Sequence, residues 1–348
     1  RLSGGRRFAL WYAGAADGRR VGPSGKRGFR GSDSGLRVIS ARRRHAADLR
    51  AHLQVLEPMD NLTQVLKVFD FIARLFTREA LIERLAYEVV IDAALDHIRL
   101  LELRFSPDYM ARPAGLSWDR LTEAIVRGVE RACLEQDIAV GLIAIVSRNL
   151  GVASAARTVE YATRWKDVLV GFDLADDEVA WPSRLFREAL EPIRALGLGL
   201  TVHSGEATGP EYVIDTLDAL APRRLGHGVA VAQDPLLVAR VRREGVAIEA
   251  CPTSNLRTRA VPSLEAHPAH RLLEQGLCVT LNTDDPGLFD LTLTGELTVA
   301  RERMGFTDAD LVAVQHNALR ASFLPLERRL EVAARYFGEE ARALLELP

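Results

Sequence analysis

The chain has 348 residues, 48% of them hydrophobic, and a formal net charge of −2 at pH 7. That is enough apolar material for one large core or two average ones. The sequence has no secretory signal pattern and no apolar run near the roughly 18 residues of a membrane span, and its near-neutral charge offers no electrostatic case for nucleic acid or a membrane surface.

The charge balance hides an asymmetry. Residues 1–44 carry 12 Lys and Arg against 2 acids, net +10, and the remainder is net −12. Eleven arginines and nine glycines leave this leader little apolar periodicity; Phe8–Tyr12 and Leu36–Ile39 are its strand-like runs. The expectation is a disordered or poorly packed leader rather than a basic arm for an acidic partner. The chain has no initiator methionine, and the composition is that expected of out-of-frame translation in place of a native start.

From about Leu49 helix and strand patterns alternate. Apolar spacing predicts helices over Asn61–Phe76 and Arg78–Leu95, a strand over Ile98–Phe105, a helix over Trp118–Glu135 and a strand over Val140–Val146. A helix over Val152–Trp165 leads to the strand Val168–Asp173, and a helix over Arg184–Leu196 to the strand Leu198–His203. Then come the helix Glu211–Leu220, the strand Arg224–His227, the helix Pro235–Arg243 and the strand Val246–Ala250. A helix holding His270–Gln275 precedes the strand Cys278–Asn282, and helices over Leu291–Met304, Asp308–Arg320 and Leu326–Leu347 finish the chain. Such alternation implies parallel strands joined by helical crossovers, an α/β fold. Seven strands after residue 97, with one more upstream, would close a (β/α)8 TIM-like barrel whose first strand is atypical or missing. No G-x-G-x-x-G turn follows an early strand to favour an open doubly wound sheet. Residues 45–348 read as one domain. Cys133, Cys251 and Cys278 are widely spaced in apolar surroundings, which fits reduced thiols in a cytoplasmic protein.

Polar residues collect where the strands end, the face on which such barrels build their sites. The fourth strand ends in Asp173-Leu174-Ala175-Asp176-Asp177-Glu178 and the fifth in His203-Ser204-Gly205-Glu206. The sixth ends in His227-Gly228, the seventh in Cys251-Pro252-Thr253-Ser254-Asn255, and the eighth in Asn282-Thr283-Asp284-Asp285-Pro286. A lone histidine such as His227 is usually a satisfied structural residue, but five successive polar strand ends are not a chance pattern. His203 and Asp284 are donors of the kind zinc accepts. Glu206, three residues beyond His203, is placed as a proton donor. His227, between glycines, could take a proton from a water whose pKa zinc lowers to about 7, and Asp285 could orient that water or bond substrate. The chemistry these residue types describe is metal-assisted hydrolysis.

These motifs resemble the adenosine/AMP deaminase family of metal-dependent aminohydrolases. His203-Ser204-Gly205-Glu206 is similar to its His-Ala-Gly-Glu, and Arg224-Leu225-Gly226-His227-Gly228 to its Arg-(Ile/Leu)-Gly-His-Gly. Glu249-Ala250-Cys251-Pro252-Thr253-Ser254-Asn255 resembles Glu-x-Cys-Pro-x-Ser-Asn, and Asn282-Thr283-Asp284-Asp285-Pro286 resembles Asn-Thr-Asp-Asp-Pro. Leu101–Pro107 fits its second strand and Ala321-Ser322-Phe323-Leu324 its C-terminal helix. The resemblance implies one Zn2+ per chain on His203 and Asp284, with Glu206, His227 and Asp285 catalytic. It places Asp173, Asp176, Gly205 and Asp285 at the substrate, a purine nucleoside, with adenosine or 2′-deoxyadenosine converted to inosine and ammonia. Ser254 and Asn255 are expected to brace their loop, and Cys251 to be structural. The zinc deaminases of cytidine and nucleic-acid bases are excluded, since there is no H-x-E…P-C-x-x-C pattern.

Two departures from the family pattern stand out. The family's first strand carries a His-x-His pair, whose period-two spacing puts both imidazoles on one face to hold zinc. This chain has none; His45 and His52 lie seven residues apart in an Arg/Ala-rich stretch. Poor zinc binding and weak activity are therefore expected, the alternatives being a metal-depleted pseudoenzyme of the same barrel or a deaminase of another 6-aminopurine such as adenine. Asp176 stands where the family has a glycine that lets the backbone approach the purine, which reads as tolerated variation in an acidic loop.

Overall fold

The computed structural model describes residues 11–16, 53–59 and 62–346. Among them β1 (Trp11–Ala16) is followed by β2 (Ile98–Phe105), β3 (Ala139–Ser147), β4 (Leu169–Ala175) and β5 (Gly199–Ser204). The sheet continues with β6 (Arg224–His227), β7 (Ala247–Ala250) and β8 (Val279–Leu281). Neighbours in the sheet follow chain order, and β2 to β8 are all parallel. The strands are short apolar runs, β3 reading Ala-Val-Gly-Leu-Ile-Ala-Ile-Val-Ser, as befits strands covered on both faces.

The sheet is rolled. In a flat sheet β2 and β7 would stand five strand spacings apart, roughly 24 Å at about 4.8 Å each. Instead Arg104 of β2 pairs directly with Glu249 of β7 at 2.6 Å and with Asp173 of β4 at 2.7 Å. Only a concave inner face brings these three side chains together. The position beside β2 that a first barrel strand would fill is taken by β1, which runs antiparallel to β2 with Trp11 opposite Arg104 and Gly14 opposite Leu101. The expected atypical first strand thus takes the form of a reversed one. Of the leader, only Trp11–Ala16 is described; the strand-like run Leu36–Ile39 and the reading of residues 1–44 as poorly packed lie outside the described residues.

At the end where the strands begin, the C-terminal segment plugs the roll. Glu102 accepts hydrogen bonds from Ser322 Oγ at 2.9 Å, Phe323 N at 2.5 Å and Arg224 Nη1 at 2.5 Å. The Phe323 ring lies 3.5 Å beneath the Arg224 guanidinium. Gly171 and Gly199 make room for it, because a Cβ at either would stand 2.5 or 2.2 Å from the ring. The opposite end is left for the polar strand termini.

Most predicted helices appear within a residue or two, and Trp118–Glu135 coincides at both ends. Two do not hold as single helices. The stretch predicted as Arg184–Leu196 is a 3-10 turn, Ser183–Phe186, then short helices Arg187–Leu190 and Pro192–Ala195; Pro192 has no N–H to continue the ladder. The last helix breaks into Leu326–Val332, a π-turn Ala333–Phe337 and Gly338–Glu346, with Gly338 at φ 83°. Three short helices were not anticipated: Pro107–Ala111, Pro252–Arg257 and Pro286–Phe289. Each follows a strand and opens on a proline, whose fixed φ suits the first helical position. No helix among the described residues is long and apolar enough to cross a membrane.

Replacing Glu102 by alanine removes one of the two buried carboxylates paired with Arg224, the other being Glu249 at 2.9 Å, and unlatches the Phe323 plug. The expected loss is about 3–5 kcal/mol of unfolding free energy, read by urea denaturation at neutral pH against the unmodified chain.

Candidate active site

The ends of β4 to β8 bring together the residues that the sequence singles out. His203 is the fifth residue of β5, and its Nδ1 is bonded to Asp173 Oδ1 of β4 at 2.9 Å. Nε2 is then the atom that would ligate a metal, in the carboxylate–histidine arrangement common behind metal sites. Asp173 is fully buried and spends its other oxygen on Arg104. Burial opposes its ionisation, but His203 and Arg104 outweigh that and hold the carboxyl well below the usual range. The His203 imidazole is correspondingly raised, burial being overcome by Asp173.

His227 ends β6 and Asp284 follows β8, both in left-handed backbone at φ 61° and 58°. Non-glycine residues there carry strain of order 1–3 kcal/mol that the surroundings must hold. Ser254 Oγ donates to Asp284 Oδ2 at 2.7 Å, and the Asn255 amide meets His227 Nδ1 at 2.9 Å. Expected only to brace their own loop, Ser254 and Asn255 in fact clamp two residues of the site. The His203 and His227 rings lie 4.9 Å apart, edge to face. His227 Nε2 is 3.5 Å from Glu206 Oε2 and 4.0 Å from Asp284 Oδ2.

Glu206 accepts from Thr258 Oγ1 at 2.8 Å. Burial pushes its carboxyl up, with Asp284 adding and His227 opposing. Its loop is tied down by Glu178, whose carboxylate takes the backbone N–H groups of Gly205, Glu206 and Ala207 at 2.7, 2.9 and 2.7 Å. Gly205 stands at φ 77°, where a Cβ would meet Val213 at 2.7 Å. Asp285 is raised well above the usual carboxylate range by burial, then by Asp284 and Glu206. Its buried Oδ1 has no hydrogen-bond partner among the described residues. Burial also drives the Cys251 thiol up, as for an inert structural cysteine.

Asp176 sits at φ 80°, the backbone region a glycine would favour, with its carboxyl bonded to Ser147 Oγ and raised by burial. It lies on the wall of a cavity of about 890 Å³ that also includes Arg104, Phe105, Tyr109 and Ser147. The half-buried Asp176 side chain is held against Ser147 on the cavity wall. Of the supports, Ser147 and Thr258 carry no sequence signal of their role, while Arg104 lies in the run matched to the family's second strand and Glu178 in the polar end of the fourth strand.

The donor set fits a divalent cation in part. His203, His227 and Asp284 each offer one atom, all within 4.8 Å of one another, whereas two ligands of one zinc at about 2.0–2.1 Å lie no more than about 4.2 Å apart. A modest closure would satisfy His203 and Asp284, the pair expected to bind zinc; β1 contributes no histidine.

The sequence model of one protein family, described as adenosine deaminase, matches residues 42–336. An adenosine deaminase of Shewanella denitrificans is 36% identical over 278 residues, 80% of this chain and 84% of its own. One from Erwinia tasmaniensis is 36% identical over 289 residues, 83% and 87%. Among solved structures, an amidohydrolase of Burkholderia ambifaria with bound zinc superposes with a TM-score of 0.79 at 26% identity, covering 89% of this chain and 85% of that one. Arabidopsis ADAL complexed with IMP gives 0.77 at 26%, covering 89% and 91%. Adenine deaminase from Arthrobacter aurescens gives 0.79 at 22%, covering 87% and 92%, and shows the fold alone.

The ionic core behind the site sets an acid limit. Burial opposes charge on Glu249, but Arg104 and Arg224 hold its pKa at about 2, below the ordinary 4.5. A depressed carboxylate stabilises the fold fully above its unfolded value and loses that contribution as pH falls towards the folded one. Stability should therefore fall steadily below about pH 4.5, by about 3 kcal/mol from Glu249 once pH reaches about 2. Urea denaturation from pH 6 to 3.5 should show this slope, and Glu249→Gln should flatten it while lowering stability overall.

Proposed function

The chain belongs to the adenosine deaminase family, and from that premise we propose that it deaminates adenosine hydrolytically, giving inosine and ammonia, on a rolled (β/α)8-type scaffold. One observation carries the reading: Glu206, His227 and Asp285 are held together, buried, beside the donor pair His203 and Asp284. A binding scaffold has no use for two adjacent carboxyl groups whose ionisation is opposed by burial and by their acidic neighbours. The relatives' shared name and their coverage of the chain support adenosine as the substrate.

A zinc ion on His203 and Asp284 would supply Lewis acidity and lower the pKa of water to about 7. The chain's own residues do the rest. Glu206, with its raised pKa, gives its proton to purine N1, which makes C6 electrophilic. A water oxygen bonds to C6 on the side of His227 and Asp285. One of its protons passes to N6 and the other restores Glu206, whose own proton stays on N1. The C6–N6 bond breaks, and ammonia leaves as the carbonyl forms. Asp285, whose ionisation burial opposes, bonds purine N7 or holds the water, giving its unpartnered oxygen a role. Asp173, with both oxygens engaged, acts through His203 rather than on the substrate. Gly205 and Asp176 border the purine, Asp176 from the cavity wall.

A second substrate, a nucleoside monophosphate, is favoured by Lys67, Arg74 and Arg112 lining the same cavity and by the IMP bound in the Arabidopsis neighbour. With two expected zinc ligands in place of a fuller set, metal affinity should be low and turnover slow. Zinc content of the purified chain, with ultraviolet monitoring of adenosine and AMP on the same sample, tests the reading. Substoichiometric zinc is expected, with conversion that rises on adding zinc and is abolished reversibly by a chelator. Glu206→Gln should lower kcat by about 10²-fold or more. No conversion of either substrate at saturating zinc would overturn the proposal and leave a pseudoenzyme.

A further inference from the structure

The hydrogen bonds behind His227 run in one direction. The backbone N–H of Ala269 donates to His267 Nδ1 at 3.1 Å. That nitrogen therefore carries a lone pair, and a neutral ring must hold its proton on Nε2. His267 is neutral at pH 7, because burial and the nearby His227 bring its pKa down to about 4. Among the described residues its Nε2–H donates to Asn255 Oδ1 at 3.1 Å. With the amide oxygen so identified, the group facing His227 is Nδ2–H₂, which donates to His227 Nδ1 at 2.9 Å. His227 Nδ1 is then an acceptor, and the ring proton resides on Nε2, the atom turned towards Glu206 and Asp284. All three side chains are buried, Asn255 completely, so water does not compete for these bonds.

We propose that His267 and Asn255 are positioning residues that lock His227 in its Nε2–H tautomer, so that His227 presents a proton to the site and is not a third metal ligand. A ligating imidazole needs a lone pair on the ligating nitrogen, and the relay leaves the only lone pair of His227 on the side away from the site. Distance alone groups His227 with His203 and Asp284; hydrogen-bond direction separates them. His203 has the opposite arrangement, its Nδ1 turned to the Asp173 carboxylate and its Nε2 left to ligate. Only the consequence rests on the deaminase reading: in that reaction His227 holds the attacking water by donating to its oxygen, and does not take a proton from it as the sequence suggests.

The test is a two-bond 1H–15N correlation spectrum of the full chain labelled with 15N-histidine, at pH 7, with and without added zinc. His227→Gln identifies the His227 signals. The expected pattern for His227 is a pyrrole-like Nε2 and a pyridine-like Nδ1, unchanged by zinc, while the His203 signals shift. Asn255→Asp should reverse the tautomer, since a carboxylate can only accept. His267→Ala, which frees the amide to turn over, should give a mixture, and His267→Gln, which keeps an N–H donor, should restore the original pattern. A pyrrole-like Nδ1 in the unmodified chain, or a Nε2 that loses its proton when zinc is added, overturns the proposal. So does a folded His267→Ala variant with the tautomer unmoved. None of these signals depends on turnover, so an inactive chain would sink the proposed function and leave this result standing.

Discussion

The pairing of Arg104 with Asp173 and Glu249 is the interaction on which the rest of the molecule depends. It ties β2 to β4 and β7 across the inner face of the rolled sheet. Apolar side chains of equal volume could hold a sheet as firmly, since buried ion pairs recover little beyond their desolvation cost. They could not aim an imidazole. Asp173 uses one oxygen on Arg104 and the other on His203, so the pair that closes the roll also decides which nitrogen of His203 faces the site. Scaffold and chemistry meet in one carboxylate.

The site beyond it is built by crowding acids rather than by pairing them. Glu206, Asp284 and Asp285 lie close enough that Glu206 and Asp285 are both raised by burial and by their acidic neighbours. Retained protons are what a group needs in order to donate at neutral pH. The arrangement is costly, and the clamps offset it: Thr258 on Glu206, Ser254 on Asp284, and the Glu178 carboxylate on three successive N–H groups of the Glu206 loop. The left-handed backbone at His227 and Asp284 belongs to the same account. Each sits where a side chain is disfavoured, and each is pinned by a hydrogen bond from the loop after β7.

Much of this was legible in the sequence, because parallel strands announce themselves as short apolar runs with polar ends. All seven runs after residue 97 are strands, and His203, Glu206, His227, Asp284 and Asp285 gather as their positions imply. Helix continuity was less legible: Pro192 and Gly338 interrupt patterns whose apolar spacing carries on through them. The direction of β1 was hidden, since reversal leaves no mark on a run of small and aromatic residues. The supporting groups were hidden for another reason. Arg104 and Asp173 are 69 residues apart, and Thr258 and Glu206 are 52 apart. Only the folded chain makes them neighbours. His267 illustrates the limit, because its significance lies in the direction of a hydrogen bond passed on by Asn255.

The same geometry gives the site two parts that share their strands. Glu206, His227 and Asp285, the groups proposed to handle protons, are placed by β5, β6 and β8, with bracing from Glu178, Asn255 and Thr258. The proposed metal-binding part is His203 and Asp284, braced from β4 and from the short helix after β7. With His227 committed as a donor, this part has two ligands where a catalytic zinc site ordinarily has three. On the proposed reading, a reversed first strand without histidine would lower metal affinity while leaving the groups after β5, β6 and β8 in place. The two parts share β5 and β8, and only the metal-binding one would look to the first strand for further ligands.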